Sequence, residues 1–184
     1  ITGWLMKSAM SGKLALMPAI KKLMDEVMSG PGEKIERDGP LADEQAVLAS
    51  AKKLTLFAAG AATQKYMAKI ADEQEVMGAI SDMIIEVYAM ESAILRAEKM
   101  TNGSTGPGRD THHIPVAIAR IYADRAMSII ELAARKVIAT VAEGDMLRTQ
   151  LTILRRLAKH DTADTVALRR QVARHVIQAG KYAL

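Results

Sequence analysis

Four histidines, His112, His113, His160 and His175, are the side chains of this sequence best suited to hold a metal or move a proton near neutral pH. A metal centre needs several such groups to converge. His112 and His113 are adjacent, so on a helix they point to different sides. No Glu stands three positions before a His, which removes the Glu-x-x-His pattern of helical di-metal bundles. Ordinary helix-start and surface positions are expected for all four, and no metal site. Nucleophilic chemistry is equally poorly served. There is no Cys, no G-x-S-x-G elbow, and nothing that singles out one Ser or Thr as activated. The Gly-rich stretch at 103–108 lacks the Lys-Ser/Thr ending of a phosphate loop and follows no strand.

One carboxylate is out of pattern. Glu91 falls on an apolar helical stripe between Tyr88 and the pair Ile94 and Leu95. A catalytic carboxylate can occupy such a position. The commoner arrangement is a structural carboxylate paired with an Arg on the next helix, with Arg120 and Arg125 as candidates. Arg148, Arg155 and Arg156 flank a narrow line of Leu147, Leu151, Leu154 and Leu157. They could contact an anionic lipid surface, with the leucines inward and the arginines snorkelling. Packing of the leucines against a bundle, with the arginines in water, is the reading the pattern favours.

The elements that would carry these residues are helical throughout. Hydrophobic residues make up 49% of the chain and charged residues 25%, which is globular composition. Aromatic residues are only 3%, so the core falls to Ala, Leu, Ile, Val and twelve Met. No segment alternates apolar and polar residues for long, and none approaches the roughly 20 apolar residues that span a bilayer. The formal charge is +4, and residues 145–184, with eight Lys or Arg against three Asp or Glu, carry the excess. A basic end fits anionic lipid, nucleic acid or an acidic partner, or simply a solvated helix face. The lack of interleaved aromatics argues against nucleic acid. Residue 1 is Ile rather than Met, which predicts a piece of a longer polypeptide.

The expected order is as follows. Residues 1–40 form a connector, with a short helix from Pro18 to about Ser29 and an exposed loop over 33–40. Residues 41–184 form an all-α, up-and-down bundle of three long helices with shorter helices packed around them. The first long helix runs from Leu41 or Ala42 to about Ile70 and contains Gly60. A mid-helix Gly costs about 1 kcal/mol relative to Ala, a cost that close approach of a second helix can offset. The second starts at Asp72 with a capping box to Glu75, and buries Val76, Ile80, Met83, Val87, Tyr88, Ile94 and Leu95. The third starts within 110–115 and reaches Ala142, with Ile114, Ile118, Ile121, Tyr122, Ala126, Ile129, Leu132 and Val137 inward. Shorter helices follow over 145–159 and 165–181.

Residues 46–100 resemble the C-terminal extension of the very-long-chain acyl-CoA dehydrogenases and their bacterial relatives. The pieces that carry the resemblance are AVLASAKKLTLFAAGAATQKYM, then DEQ at the next helix start, then IIEVYAMESAILRAEK. Full-length members bind FAD, oxidise the Cα–Cβ bond of a fatty acyl-CoA in β-oxidation, and pass electrons to an electron-transferring flavoprotein. The resemblance places their base and flavin contacts in a preceding catalytic domain, whose Glu-Gly-Thr-Asn-like segment does not occur here. It therefore assigns no catalytic, FAD-binding or metal residue to this chain. It implies a helical unit lying against that domain, homodimeric assembly, a cytoplasmic setting and association with the inner membrane. The hydrophilic EKIERDGP at 33–40 is no lipid-seeking helix, so any membrane contact would come from elsewhere, such as 145–159. A free-standing ligand-binding bundle and a basic adaptor for anionic lipid are the opposed expectations.

Overall fold

A computed structural model describes residues 39–102 and 113–181, together with Ser8, Ser11, Pro18 and Lys22. Of the expected connector helix only Pro18 and Lys22 are described, both helical; the rest of it, most of the 33–40 loop, the Gly-rich loop and His112 lie outside the described residues. Among the described residues from Gly39 on, five α-helices follow in order: α1 (Ala42–Tyr66), α2 (Gln74–Asn102), α3 (His113–Val141), α4 (Gly144–Ala158) and α5 (Thr165–Ala179). A 3-10 turn, Met67–Asp72, joins α1 to α2. Among the described residues there is no strand.

The long helices run up, down and up. Gln45 on α1 meets Glu98 on α2, while Lys52 meets Glu91. The partner's number falls as the first rises, so the two helices are antiparallel. Glu86 on α2 meets Tyr122 near the start of α3, and Val76 and Val137 line one crevice at the other end, so α2 and α3 are antiparallel too. α3 is the hub: it packs against α1, α2, α4 and α5.

On α3 the buried face differs from the expected one. The residues of α3 that are buried are Ile114, Ala117, Ala119, Ala123, Ala126, Met127, Ile130, Ala134, Val137, Ile138 and Val141. Ile129 is half-buried and Leu132 is exposed, against expectation. From Ala119 onward the buried residues keep helical spacing on one face, built largely of Ala that lets the neighbours approach, whereas the expected stripe runs through the larger Ile118, Ile121, Ile129 and Leu132 to one side of it. On α2 the core face is Val76, Ala79, Ile80, Met83, Met90, Ile94 and Ala97. Tyr88 and Leu95 are therefore corrected from core to surface. The true seam steps through Met83, Met90 and Ala97, at seven-residue intervals, and Tyr88 lies off that line.

The helix ends also differ from expectation. α1 stops at Tyr66 because Met67 adopts φ 50°, a left-handed conformation unusual for a side chain with a Cβ. The 3-10 turn that follows is pinned by buried Ile70. α2 then opens with the Met77 N–H donating to the Glu73 carbonyl at 2.9 Å, so Asp72 belongs to the turn rather than capping the helix. α4 lays Leu154, Leu157 and Ala158 into the core, with Leu147 and Leu151 half-buried beside them. α5 begins at a true cap, the Asp164 carboxylate accepting from the Ala167 N–H at 2.9 Å. It ends on left-handed Gly180 and buries none of its residues.

Candidate functional site

The polar groups of the bundle sort into three places. The first is a groove of about 840 Å³ where the start of α1, the first part of α3 and the α4–α5 connection meet. Glu44 sits one turn before Leu48, on the buried face of α1, and is itself only 5% exposed. The Arg120 Nε donates to Glu44 Oε1 at 2.6 Å, and its Nη2 donates to the Pro40 carbonyl at 3.2 Å. Arg120 thus ties the entry of α1 to α3. The hydrogen bond to Glu44 raises the Arg120 pKa above its ordinary value, against an opposing effect of burial. Glu44 Oε2 is buried without a hydrogen-bond partner among the described residues. Asp43, Lys159, His160, Asp161 and Asp164 complete the polar rim. His160 Nδ1 donates to the Ala158 carbonyl at 2.9 Å, and its Nε2 lies 3.8 Å from Asp124.

The second place is the α1–α2 seam. Lys52 Nζ stands 2.6 Å from Glu91 Oε1, and both side chains are about half in water. The expectation that an Arg on α3 pairs with Glu91 is therefore corrected. Helical phase put Glu91 toward the core, but it flanks Met90 and Ile94 on the α1 side, where Lys52 is the cation within reach. Arg120 is taken by Glu44, and Arg125 lies 3.9 Å from Glu86.

The third place joins α2 to α3. The Tyr122 hydroxyl donates to Glu86 Oε2 at 2.8 Å, with the Arg125 guanidinium 5.9 Å from the ring centroid. Burial, and then the hydrogen bond to Glu86, raise the Tyr122 pKa above its ordinary value. Each cluster pairs one helix with another, and none sets a base beside a nucleophile.

The remaining candidates are dispersed. Gly60 is buried in α1, in a run from Phe57 to Ala62 that is buried but for Ala61. Tyr88 is 73% exposed. Arg148, Arg155 and Arg156 are exposed along α4, and Arg148 pairs with Asp145 at 3.0 Å. His113 is exposed at the start of α3. Among the described residues no three His, Asp or Glu side chains are placed to hold a metal ion. Sequence reasoning passed over Glu44, although its spacing to Leu48, Ala51 and Thr55 puts it on the buried face.

A dinucleotide such as FAD needs cations or free amide donors for its diphosphate. The groove sets Asp43, Glu44, Asp161 and Asp164 against Arg120 and Lys159, with Arg120 already engaged. Asp164 occupies the amide end of α5. These residues do not suit FAD.

Comparison with known proteins decides what kind of unit this is. Residues 50–156 match the family model "Acyl-CoA dehydrogenase, C-terminal domain". The chain belongs to that family. This acyl-CoA dehydrogenase C-terminal domain is 34% identical over 177 residues to a "Probable acyl-CoA dehydrogenase" of Bacillus subtilis (strain 168). That match takes in 96% of this chain and 29% of the relative. It also superposes on the crystal structure of an acyl-CoA dehydrogenase complexed with FAD from Bacillus anthracis, with a TM-score of 0.91 and 33% identity. The superposition covers 100% of this domain and 30% of that chain. The domain thus spans about a third of the length of the relatives it matches.

Proposed function

We propose that this chain is the non-catalytic C-terminal part of a flavin-dependent acyl-CoA dehydrogenase of the very-long-chain type, acting in fatty acid β-oxidation. Its work is to lie against a catalytic domain upstream in the same polypeptide and to support a homodimer. The observation that supports this most is the superposition of the whole chain on 30% of an FAD-complexed enzyme. FAD, the acyl-CoA and an electron-transferring flavoprotein then belong to the remainder. A division into a 1–40 connector and a 41–184 bundle goes with this reading. The ion pairs of the bundle, Glu44 with Arg120 and Lys52 with Glu91, serve its internal rigidity. Family membership favours this over a free-standing ligand carrier.

The setting is cytoplasmic, with peripheral contact to the inner membrane through α4. No helix among the described residues is long and apolar enough to cross a membrane. Because Leu154 and Leu157 are spent on the core, that contact is electrostatic, through Arg148, Arg155 and Arg156. It weakens as salt rises.

The test is to prepare the 184-residue chain alone and a polypeptide of the relatives' length that carries it. Flavin absorbance near 450 nm and acyl-CoA-dependent dye reduction are expected in the long form alone. Flavin turnover by the 184 residues, or a long form without flavin, overturns the proposal.

A further inference from the structure

The face of α2 opposite its core residues carries Ile85, Tyr88, Ser92 and Leu95, with Leu95 at the edge of the α1–α2 crevice. Their spacing of three, four and three residues draws one line along the helix. Ile85 and Leu95 are each 57% exposed, and Tyr88 is more exposed still. None of these four positions carries a charge, in a chain where a quarter of the residues are charged; the partly exposed Glu91 beside Ser92 is paired with Lys52. Single exposed apolar side chains, such as Leu132 on α3 or Met146 on α4, are normal on any surface. An uncharged line of them on one helix marks an interaction face.

We propose that this line on α2 is the seat of the flavin-binding body of the same polypeptide, an inference that rests on the function proposed above. Two observations choose that occupant. The relatives carry this unit on a chain about three times as long, so a large tethered neighbour is at hand. The area also fits a tethered partner better than a free one. Three such side chains expose on the order of 400 Å², about half of the roughly 800 Å² per partner that a free-standing complex buries. A covalently linked partner is held at an effective concentration in the millimolar range, so a smaller contact suffices. The ends of the line give the contact a direction. Asp82 stands at one end and Arg96 and Lys99 at the other. The complementary surface is apolar along its middle, offers an acceptor to the Tyr88 hydroxyl, and places a cation toward Asp82 and a carboxylate toward Arg96.

The chain has no cysteine, so Ile85→Cys, Tyr88→Cys and Leu95→Cys each set one thiol on this face. Thr140→Cys sets one at an exposed position near the end of α3. Iodoacetamide labelling is followed by peptide mass spectrometry in the 184-residue chain and in the flavin-loaded polypeptide of the relatives' length. Labelling at 85, 88 and 95 is expected to slow at least tenfold in the long form at every protein concentration, with position 140 unchanged. Rates at the three positions within threefold of each other in the two forms, with flavin bound, overturn the inference and leave the proposed function standing. Slowing in the short chain that grows with its concentration assigns the face to a second copy and also overturns the inference. A long form without flavin removes the proposed function and this inference with it.

Discussion

Arg120 on α3 donates through Nε to Glu44 on α1 at 2.6 Å, across 76 residues of sequence, and Glu44 has no other described partner. The two residues are unequal, since Glu44 is buried and more than a third of the Arg120 side chain meets solvent. Removing the cation strands a buried carboxylate, whereas neutralising the acid leaves an arginine that water can reach. Breaking a fully buried pair costs about 3–5 kcal/mol, and solvent access to Arg120 lowers that. Arg120→Met is expected to destabilise the chain by about 2 kcal/mol, and Glu44→Gln by about 1 kcal/mol. Urea denaturation of both variants and the double variant checks the order and the coupling.

Ile94 and Leu95 are neighbours in sequence with opposite environments, the first 1% exposed and the second on the surface. Ile94→Ala is expected to cost about 3 kcal/mol in the 184-residue chain, and Leu95→Ala less than about 0.5 kcal/mol. Equal losses in thermal or urea unfolding would mean that α2 is rotated from the phase described.

Met67 ends α1 with φ 50° and ψ −124°, while its side chain is largely in water. Replacing it removes the Cβ that makes this conformation unfavourable and gives up little packing. Met67→Gly is expected to stabilise by about 0.5–1 kcal/mol after the added chain entropy of Gly. A lower melting temperature in calorimetry would contradict the backbone geometry assigned to this junction.

Tyr122 is held in its neutral form by burial and by Glu86. Its folded pKa lies above the unfolded value near 10, so the folded state keeps the proton longer. The stability this contributes is fully present below about pH 10 and is lost as pH rises through the folded value. In a phenolate titration at 295 nm, Tyr122→Phe is expected to remove the late-titrating component. The variant should also show a shallower loss of stability between pH 10 and 12. Loss of an early component instead would contradict the environment described for Tyr122.

Much of this is legible in the residues, and what is not has a separate physical cause in each place. The bundle, its three long helices and the Leu147–Leu157 line follow from spacing alone, because α4 meets its neighbours on one side. α3 resisted, because its buried face is built largely of Ala, while the larger Ile118, Ile121, Ile129 and Leu132 that suggest a stripe lie to one side of it. Tyr88 and Leu95 point inward by spacing, because a large apolar side chain at helical intervals signals core, yet both are exposed. The turn at Met67 left no Gly or Pro to read. Glu44 was legible by phase, yet a buried carboxylate is rare enough that spacing alone did not single it out. Parentage was legible through the small-residue run of α1 and the Tyr-Ala-Met-Glu segment of α2, both within the matched residues 50–156.

The most direct measurement is sedimentation velocity, detected at 450 nm, on a flavin-loaded polypeptide of the relatives' length with and without residues 39–184. The proposed role predicts that the shortened form keeps its flavin signal and sediments as a different assembly from the intact dimer. Loss of the flavin signal on removing these residues, or an unchanged number of subunits per particle, would contradict a unit that assembles the enzyme without taking part in its chemistry.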